Sequence, residues 1–367
     1  MRRILRLFPA WLVAVGCAAR HDVPATALQE PLRISAHTDA TDARRDAATT
    51  LVVQAVGDIY LGGSGQRLLD SKGYAYPFKG IARIMDEGDL NIGNLEGPIT
   101  AHATPYVEKK YLLRMEPPVA AALKAAGIHA VALANNHAMD QGPTGLADTL
   151  EALTAAGVGF SGAGADINKA RQAAWLEVKG TTVALLSYSL TFPKEFYANH
   201  ERAGTAFGHE AHVIEDVAAA RLRAGLVIVA FHWGAELMEE PKPYQRTLAH
   251  SAIDAGADLI VGHHPHVLQG VEIYKQRPIF YSLGNFIFSS WSDKVKDSAI
   301  ARVSFDGRRA VSAEFFPINV DNYAVELQPR PMRSRQAQLL IEKIAALSQK
   351  LGTHIIDSGN SGRVILD

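Results

Sequence analysis

The sequence predicts an α/β fold built around a largely parallel sheet. From Leu51 onward, apolar runs rich in β-formers alternate with alanine-rich amphipathic stretches. This alternation favours parallel pairing, because each crossover helix returns the chain to the same end of the sheet. The runs that predict strands are TLVVQAVGD, DLNIGNLEG, HAVALANNH, TTVALLSYS, LVIVAFHWG, LIVGHHPH and RPIFYSLGN. The helix candidates between them are PPVAAALKAAGI, TGLADTLEALTAAG and PYQRTLAHSAIDAGA.

The first residues predict export. MRRILRLFPAWLVAVGC carries three arginines in its first six residues, followed by an apolar stretch too short to span a bilayer. Cys17 is the only cysteine of the chain and follows Ala14-Val15-Gly16, which resembles a bacterial lipoprotein box. We therefore predict a lipoprotein signal peptide at 1–17, lipidation of Cys17, and a membrane-anchored protein that faces the periplasm or the outside of the cell. The alternative is a plain signal peptide with an incidental cysteine, since Ala14 stands where such boxes more often carry leucine.

The next segment predicts a tether rather than a folded element. Residues 18–50 mix Ala, Asp, Thr and Arg without apolar periodicity, which is typical of a flexible linker. The formal net charge of the whole chain is −1, so no broad basic field would attract nucleic acid, and we expect no nucleic-acid partner. Export and a tether together predict a globular domain held at the envelope membrane.

The end of the chain predicts a hairpin and a small extension. ARVSFDG and AVSAEFFPINV surround Asp306-Gly307, a dipeptide typical of a tight turn between strands. We place the main domain at 51–318 and a C-terminal accessory segment at 319–367. That segment contains a helix in SRQAQLLIEKIAALSQKLG and a strand in GRVILD.

Five apolar runs end in residues that can bind a metal or move a proton. In open α/β sheets the ligand site lies beyond the carboxyl ends of the strands, so these endings are expected to meet. Any one of them alone would be a turn former, a helix cap or a hydrogen-bonded histidine; the repetition favours a shared site. The endings are Asp58, Glu96, Asn136 with His137, His232, and His264 with His266.

These residue types predict a divalent metal centre. Carboxylates, an amide oxygen and imidazoles form a mixed N/O ligand set suited to Mn, Fe or Zn, and a bridging carboxylate could hold two ions. His137, beside the proposed ligand Asn136, would face the substrate as a general acid or electrophile. Glu236 and Asn285 are weaker candidates for substrate binding, with a surface salt bridge and a loop cap as their alternatives.

Two further predictions concern charged residues outside these strand endings. Asp140 is expected to cap a helix or to support an imidazole. Lys109, Lys110 and Arg114, in PYVEKKYLLRMEPP, could attract an anionic polymer or phosphate, but a solvated charged face is the simpler interpretation.

The ordered motifs resemble the CapA family, named for poly-γ-glutamate capsule synthesis. The resemblance covers about residues 51 to 318. Its motifs are GD at 57–58, NLEGPIT at 94–100, ANNHAMDQG at 134–142, HWGAE at 232–236, GADLIVGHHPHVLQGVE at 256–272 and YSLGNFIF at 281–288. The CapA family is similar in turn to the calcineurin-like metallophosphoesterases. That similarity implies a four-layer αββα sandwich with metals at the strand ends, here with a small C-terminal helix-strand extension.

The resemblance also implies roles for individual residues. Asp58 matches the first carboxylate ligand, Glu96 the bridging carboxylate, and Asn136-His137 the pair of ligand and catalytic imidazole. The later histidine ligands match His232, His264 and His266. Tyr60 stands where the superfamily has a histidine ligand, so the implied centre holds one or two ions. His263 and His264 both remain candidates for the same ligand position, and the His-x-His spacing favours His264.

Two classes of function follow. The first is a metal-dependent hydrolase that acts on a phosphoester or an envelope polymer in capsule synthesis, with His137 protonating the leaving group. The second is a non-catalytic scaffold that binds nascent poly-γ-glutamate-like polymer or membrane-embedded capsule synthesis subunits. The family name implies the scaffold, whereas the retained ligands imply the hydrolase.

Overall fold

A computed structural model of the chain describes residues 30–34 and 50–366. Cys17, the predicted signal peptide and most of the predicted tether lie outside the described residues. Within the tether, Leu32–Ile34 form strand β1, which pairs in parallel with residues 176–178. The prediction of an irregular linker is therefore wrong for this segment. A sheet edge offers unpaired backbone groups to such a strand, and Ile34 becomes buried when the strand pairs there.

Strands and helices alternate as the sequence predicts. The other described strands are β2 (Leu51–Tyr60), β3 (Leu90–Leu95), β4 (Ala130–Ala132), β5 (Gly159–Ser161), β6 (Ala163–Gly164), β7 (Ala174–Val178), β8 (Thr181–Ser189), β9 (Gly204–Thr205), β10 (Leu226–His232), β11 (Leu259–His263), β12 (Val271–Tyr274), β13 (Arg277–Phe280), β14 (Asn285–Phe288), β15 (Asp297–Asp306), β16 (Arg309–Asn319), β17 (Arg330–Pro331), β18 (Ile355–Asp357) and β19 (Gly362–Val364). The described helices are α1 (Gln66–Lys72), α2 (Ala82–Met85), α3 (Pro118–Ala125), α4 (Gly142–Ala156), α5 (Ile167–Ala170), α6 (Glu210–Arg221), α7 (Pro243–Ala255), α8 (Asn322–Val325) and α9 (Ser334–Gln349). Every run that predicts a strand or a helix contains one, so these predictions are confirmed.

Two large sheets carry the fold. The first has the order β1-β7-β8-β10-β11-β13-β12, and β8, β10, β11 and β13 run parallel. The second has the order β18-β19-β16-β15-β2-β3-β4-β5, with β2 to β5 parallel and β14 added in parallel to β2. β15 and β16 form the predicted hairpin, which turns at Gly307 in the left-handed region.

Three apolar cores separate four layers. One core lies between the sheets and combines Val53 and Ile92 of the second sheet with Leu185 and Ile228 of the first. A second core joins the second sheet to α3 and α4, and a third joins the first sheet to α6 and α7. The order is therefore helices, sheet, sheet, helices, which confirms the predicted four-layer αββα sandwich.

The C-terminal segment packs on this sandwich. Strand β16 continues through residue 318 to Asn319, α9 buries Leu340 and Ile344 in the core between the sheets, and β19 pairs with β16. The predicted helix and strand are therefore both present. Among the described helices, none has the length and apolar character needed to cross a bilayer.

Candidate metal centre

Asp58 is fully buried near the carboxyl end of β2. Its backbone N–H donates to the Gly284 carbonyl over 3.0 Å, and a Cβ added to Gly57 would lie 2.0 Å from that carbonyl oxygen. Glycine at position 57 therefore lets β2 approach the chain before β14 closely. Asn94 Nδ2 donates to Asp58 Oδ1 over 2.8 Å, and His263 Nδ1 and His266 Nδ1 lie 3.3 Å and 3.1 Å from the carboxylate. Burial raises the pKa of Asp58, but the two imidazoles outweigh it and hold this pKa well below its usual value.

Glu96 is the second buried carboxylate and follows β3 directly. Its Oε1 lies 3.6 Å from His266 Nε2 and 4.0 Å from His137 Nε2, while its Oε2 accepts from Asn94 Nδ2 over 3.3 Å. Burial raises the pKa of Glu96 well above its usual value, and the nearby charge of Asp58 adds to the rise. Asn94 thus bridges two carboxylates whose pKa values move in opposite directions.

The loop after β4 places Asn136 and His137. Asn135 is buried and donates through Nδ2 to Asn94 Oδ1 over 3.1 Å and to the Leu95 carbonyl over 2.8 Å. Its Oδ1 accepts the backbone N–H of His137 over 3.0 Å. Asn135 therefore fixes the turn, and the next amide points to the first sheet, where Asn136 Oδ1 lies 2.7 Å from His232 Nε2.

His137 contacts the buried Asp140, which also binds the partly buried Lys109. His137 Nδ1 lies 2.6 Å from Asp140 Oδ2, so this nitrogen carries a proton and donates to the carboxylate. Lys109 Nζ donates to Asp140 Oδ1 over 2.6 Å and also to the Asn136 carbonyl. Burial lowers the pKa of His137 even though Asp140 opposes the change. Asp140 is thus the predicted partner of an imidazole. The solvated-face interpretation is wrong for Lys109, because its ammonium group is largely covered and binds the second oxygen of the Asp140 carboxylate.

The loop after β11 holds two site histidines under backbone strain. His264 and His266 have φ values of 94° and 57°, a left-handed conformation that costs free energy for residues with a Cβ. The His264 and His232 ring centroids are 4.8 Å apart, and burial lowers the pKa of both, that of His264 to about 3. For His266, burial lowers the pKa, but the charges of Glu96 and Asp58 outweigh it and raise the pKa to about 10.

Asn285 supports the same loop. It is buried at the start of β14, pairs with Asp58 in the sheet, and places Oδ1 2.9 Å from His266 Nδ1. The structure thus brings Asn285 into the site as a contact of an imidazole, and its role in substrate binding stays a prediction. Glu236 is exposed at the mouth of the site, beside His264 and His266.

Tyr60 takes no part in the ligand group. It is buried, its ring packs 5.3 Å from that of Phe288, and burial raises the pKa of its hydroxyl against a backbone hydrogen bond from Arg114. Phe288 in turn lies 5.1 Å from the His266 ring. Tyr60 therefore packs beside the site through an aromatic contact.

The residues brought together fit a divalent cation. Ligand atoms of Asp58, Glu96 and His232 lie within 4.8 Å of one another, and so do those of Glu236, His264 and His266. Three buried atoms of these groups, Glu96 Oε1, His232 Nδ1 and His264 Nδ1, have no hydrogen-bond partner among the described residues. A buried polar atom without a partner costs about 1–3 kcal/mol, so this cluster requires a cation, another ligand or ordered water to satisfy it. Of the two neighbouring histidines, His264 belongs to one of these ligand groups, while His263 Nδ1 lies 3.3 Å from Asp58 Oδ1, so the preference for His264 stays a prediction.

Sequence reasoning missed Asn94 as a site residue. It lies within β3, where the pattern reads as a buried strand, and only its pairing opposite Asp58 gives it a role. Its position two residues before Glu96, on the same face of the strand, is the signal that could have found it.

Comparison with known proteins identifies the family. The model described as "Bacterial capsule synthesis protein PGA_cap" matches residues 52–290. The chain is 33% identical over 291 residues to "Capsule biosynthesis protein CapA" of Bacillus anthracis, covering 77% of this chain and 70% of that protein. It is also 33% identical over 280 residues to "PGA biosynthesis protein CapA" of Bacillus subtilis (strain 168), covering 76% and 73%.

A solved structure described as a novel phosphatase of Mycoplasma pneumoniae is similar at 14% sequence identity, with a TM-score of 0.49, and covers 74% of this chain and 95% of that one. The family assignment depends instead on the sequence matches, since the family model spans well over half of the chain and the two Bacillus relatives are 33% identical over more than two thirds of it. The chain therefore belongs to the bacterial capsule synthesis (PGA_cap) family, as its resemblance to CapA predicts.

Proposed function

We propose that this chain is an exported, membrane-anchored hydrolase that depends on a divalent metal and acts in the synthesis of a capsule or envelope polymer. The substrate would be a phosphoester or a bond of a poly-γ-glutamate-like polymer. One observation carries the proposal: six predicted ligands from both sheets converge at the strand ends, with His137 beside them. They are Asp58, Glu96, Asn136, His232, His264 and His266.

The chain's own residues would divide the work. Asp58, Glu96, Asn136 and the histidine ligands would hold one or two ions of Mn, Fe or Zn, which supply Lewis-acid polarisation of the scissile group when bound. Because His137 donates through Nδ1 to Asp140, its Nε2 is the atom that faces the site and moves a proton. Protonated at Nε2, it would donate to the leaving group, and Asp140 would hold the ring in the required orientation.

The test compares His137→Ala with Asn136→Ala in the full-length protein purified in detergent. Metal content is measured by mass spectrometry, and hydrolysis is measured on phosphomonoesters, phosphodiesters and polyglutamate. We expect His137→Ala to keep its metal and to lose about 10²- to 10⁴-fold in turnover. Asn136→Ala should lose both metal and turnover.

The competing scaffold function has its own outcome. If the protein binds metal, hydrolyses none of these substrates, and His137→Ala fully complements a deletion strain, then catalysis is irrelevant in the cell. A scaffold that binds nascent polymer or membrane-embedded capsule synthesis subunits would then replace the hydrolase.

The membrane anchor is a separate part of the proposal and depends on Cys17. This is the only cysteine of the chain, so no other residue could carry the thioether-linked lipid. Cys17→Ser should therefore release the protein from the membrane fraction or leave the precursor unprocessed. A Cys17→Ser protein that stays membrane-bound and is fully processed would contradict lipidation.

A further inference from the structure

The loop that carries Glu236 is hydrogen-bonded to the loop that carries His264 and His266. The Leu237 N–H donates to the Pro265 carbonyl over 2.9 Å, and Gln269 Nε2 donates to the Met238 carbonyl over 2.8 Å. Glu236 follows β10 by four residues, and these two hydrogen bonds anchor the backbone directly after it to the site. Its carboxylate is held near the two imidazoles by the fold, although the side chain itself is exposed.

The carboxylate and the two imidazoles form a group distinct from the buried one. Ligand atoms of Glu236, His264 and His266 all lie within 4.8 Å of one another, while Asp58, Glu96 and His232 form the deeper group. His264 Nδ1 is buried and has no hydrogen-bond partner in the part of the chain that the structure describes. Both histidines have positive φ, a strained backbone conformation for residues with a Cβ that occurs often at functional sites.

We propose that Glu236 is a metal ligand that completes, with His264 and His266, the outer of two cation sites. In this arrangement the Glu236 carboxylate replaces the histidine ligand that the family resemblance implies at the position of Tyr60. The inference rests on the proposed metal centre and adds a position to it. Two imidazoles and one carboxylate are a known ligand set for Zn²⁺ and Fe²⁺, with coordination positions left for water or substrate.

An alternative is that Glu236 is an ordinary solvated carboxylate. Glu239, three residues later, offers a matched control because it is exposed on the same loop and forms an ion pair with Lys343. Glu239→Gln removes a carboxylate charge from the same exposed loop, and of the two residues only Glu236 lies in the ligand group.

The experiment measures metal stoichiometry and affinity. Full-length protein purified in detergent is stripped with chelator, titrated with Zn²⁺ or Mn²⁺ in a calorimeter, and analysed for bound metal after desalting. We expect two ions for the wild type and for Glu239→Gln, and one for Glu236→Gln. The second ion should bind Glu236→Gln about 100-fold or more weakly, a larger loss than the 10- to 100-fold typical of residues that only support a ligand. Glu236→Asp should retain a weaker second ion, and circular dichroism should show all four proteins folded.

The other outcomes are distinct. Two ions in Glu236→Gln with unchanged affinities, or a single ion in the wild type that this substitution does not affect, would overturn the role of Glu236 and leave the proposed hydrolase standing. A wild type that binds neither cation would overturn both the outer site and the proposed metal centre.

Discussion

Strand β11 has a buried charge cluster near each end, and the two clusters are built differently. At its amino end, Asp258 is fully buried and accepts hydrogen bonds from Val227 N–H over 3.0 Å, from Arg221 over 2.6 Å and from Arg308 over 3.1 Å. At its carboxyl end, Asp58 and Glu96 meet imidazoles, and several buried nitrogen and oxygen atoms there have no partner in the described chain. The buried charge at the amino end is matched inside the protein, whereas the cluster at the carboxyl end keeps buried polar atoms that the proposed cation would satisfy.

The pKa shifts at the carboxyl end express the same difference. Burial raises the pKa of Glu96 strongly, while imidazoles overcome burial at Asp58 and lower its pKa. Two buried carboxylates in one cluster repel each other when both are charged, so the pKa of one falls while the pKa of the other rises. A bound dication would favour the charged form of both and remove the conflict.

The largest predicted effect tests the amino-end cluster. Asp258→Asn leaves the guanidinium groups of Arg221, Arg277 and Arg308 without their shared carboxylate. Breaking a buried ion pair on one side typically costs about 3–5 kcal/mol, and we expect about 3 kcal/mol because the arginines keep some contact with solvent. Denaturant unfolding should show this loss both with and without added Mn²⁺ or Zn²⁺. A loss that appeared only with metal present would contradict the structural role of this cluster.

The second prediction applies the same measurement at the carboxyl end. A ligand that binds only the native state stabilises it by about 2.7 kcal/mol at one hundred times its Kd. Wild-type protein and Asp258→Asn should both gain this increment when metal is added, whereas Asp58→Asn should gain none of it. If metal stabilised Asp58→Asn as much as the wild type, Asp58 would not be a ligand. The Asp58 cluster would then not differ from the Asp258 cluster in its dependence on metal.

The contrast also explains what the sequence could reveal. Asp58 and His232 were predictable because each ends an apolar run, and parallel strands bring such endings to one edge. The Asp258 cluster was not, since Arg308 reaches it from a hairpin 50 residues away and no local pattern signals the contact. Strand β1 was missed because three residues are too short to show an alternating pattern, and its pairing depends on a sheet edge formed elsewhere.

Lys109 lies between these two cases. Its position in an irregular segment suggests a solvated charge, but the folded chain brings it to Asp140 across 31 residues. Nothing in the local sequence distinguishes it from Lys110, which stays near the Tyr111 ring. Only the tertiary contact shows that Lys109 belongs to the site and Lys110 to the surface. Substituting each lysine in turn therefore tests whether the contact with Asp140 matters for function.

The smallest predicted effect follows from that pair. Asp140 uses Oδ2 to hold His137 and Oδ1 to bind Lys109, so the ammonium fixes the carboxylate that orients the imidazole. Given the proposed hydrolase, Lys109→Met should lower kcat about 10- to 100-fold with metal content unchanged, the loss typical of a residue that supports a reactive group. Lys109→Arg should recover part of that loss, and Lys110→Met should match the wild type.

The leaving group supplies the decisive readout for Lys109. A misplaced His137 impairs proton donation, which matters more for a basic leaving group such as phenolate than for p-nitrophenolate. The loss in Lys109→Met should therefore be larger on the phenyl ester than on the p-nitrophenyl ester, with similar KM values for wild type and variant. Equal losses on both esters would show that Lys109 acts by holding the 101–115 segment in place. In that case its contact with Asp140 would be structural, like the arginine contacts of Asp258 at the other end of the sheet.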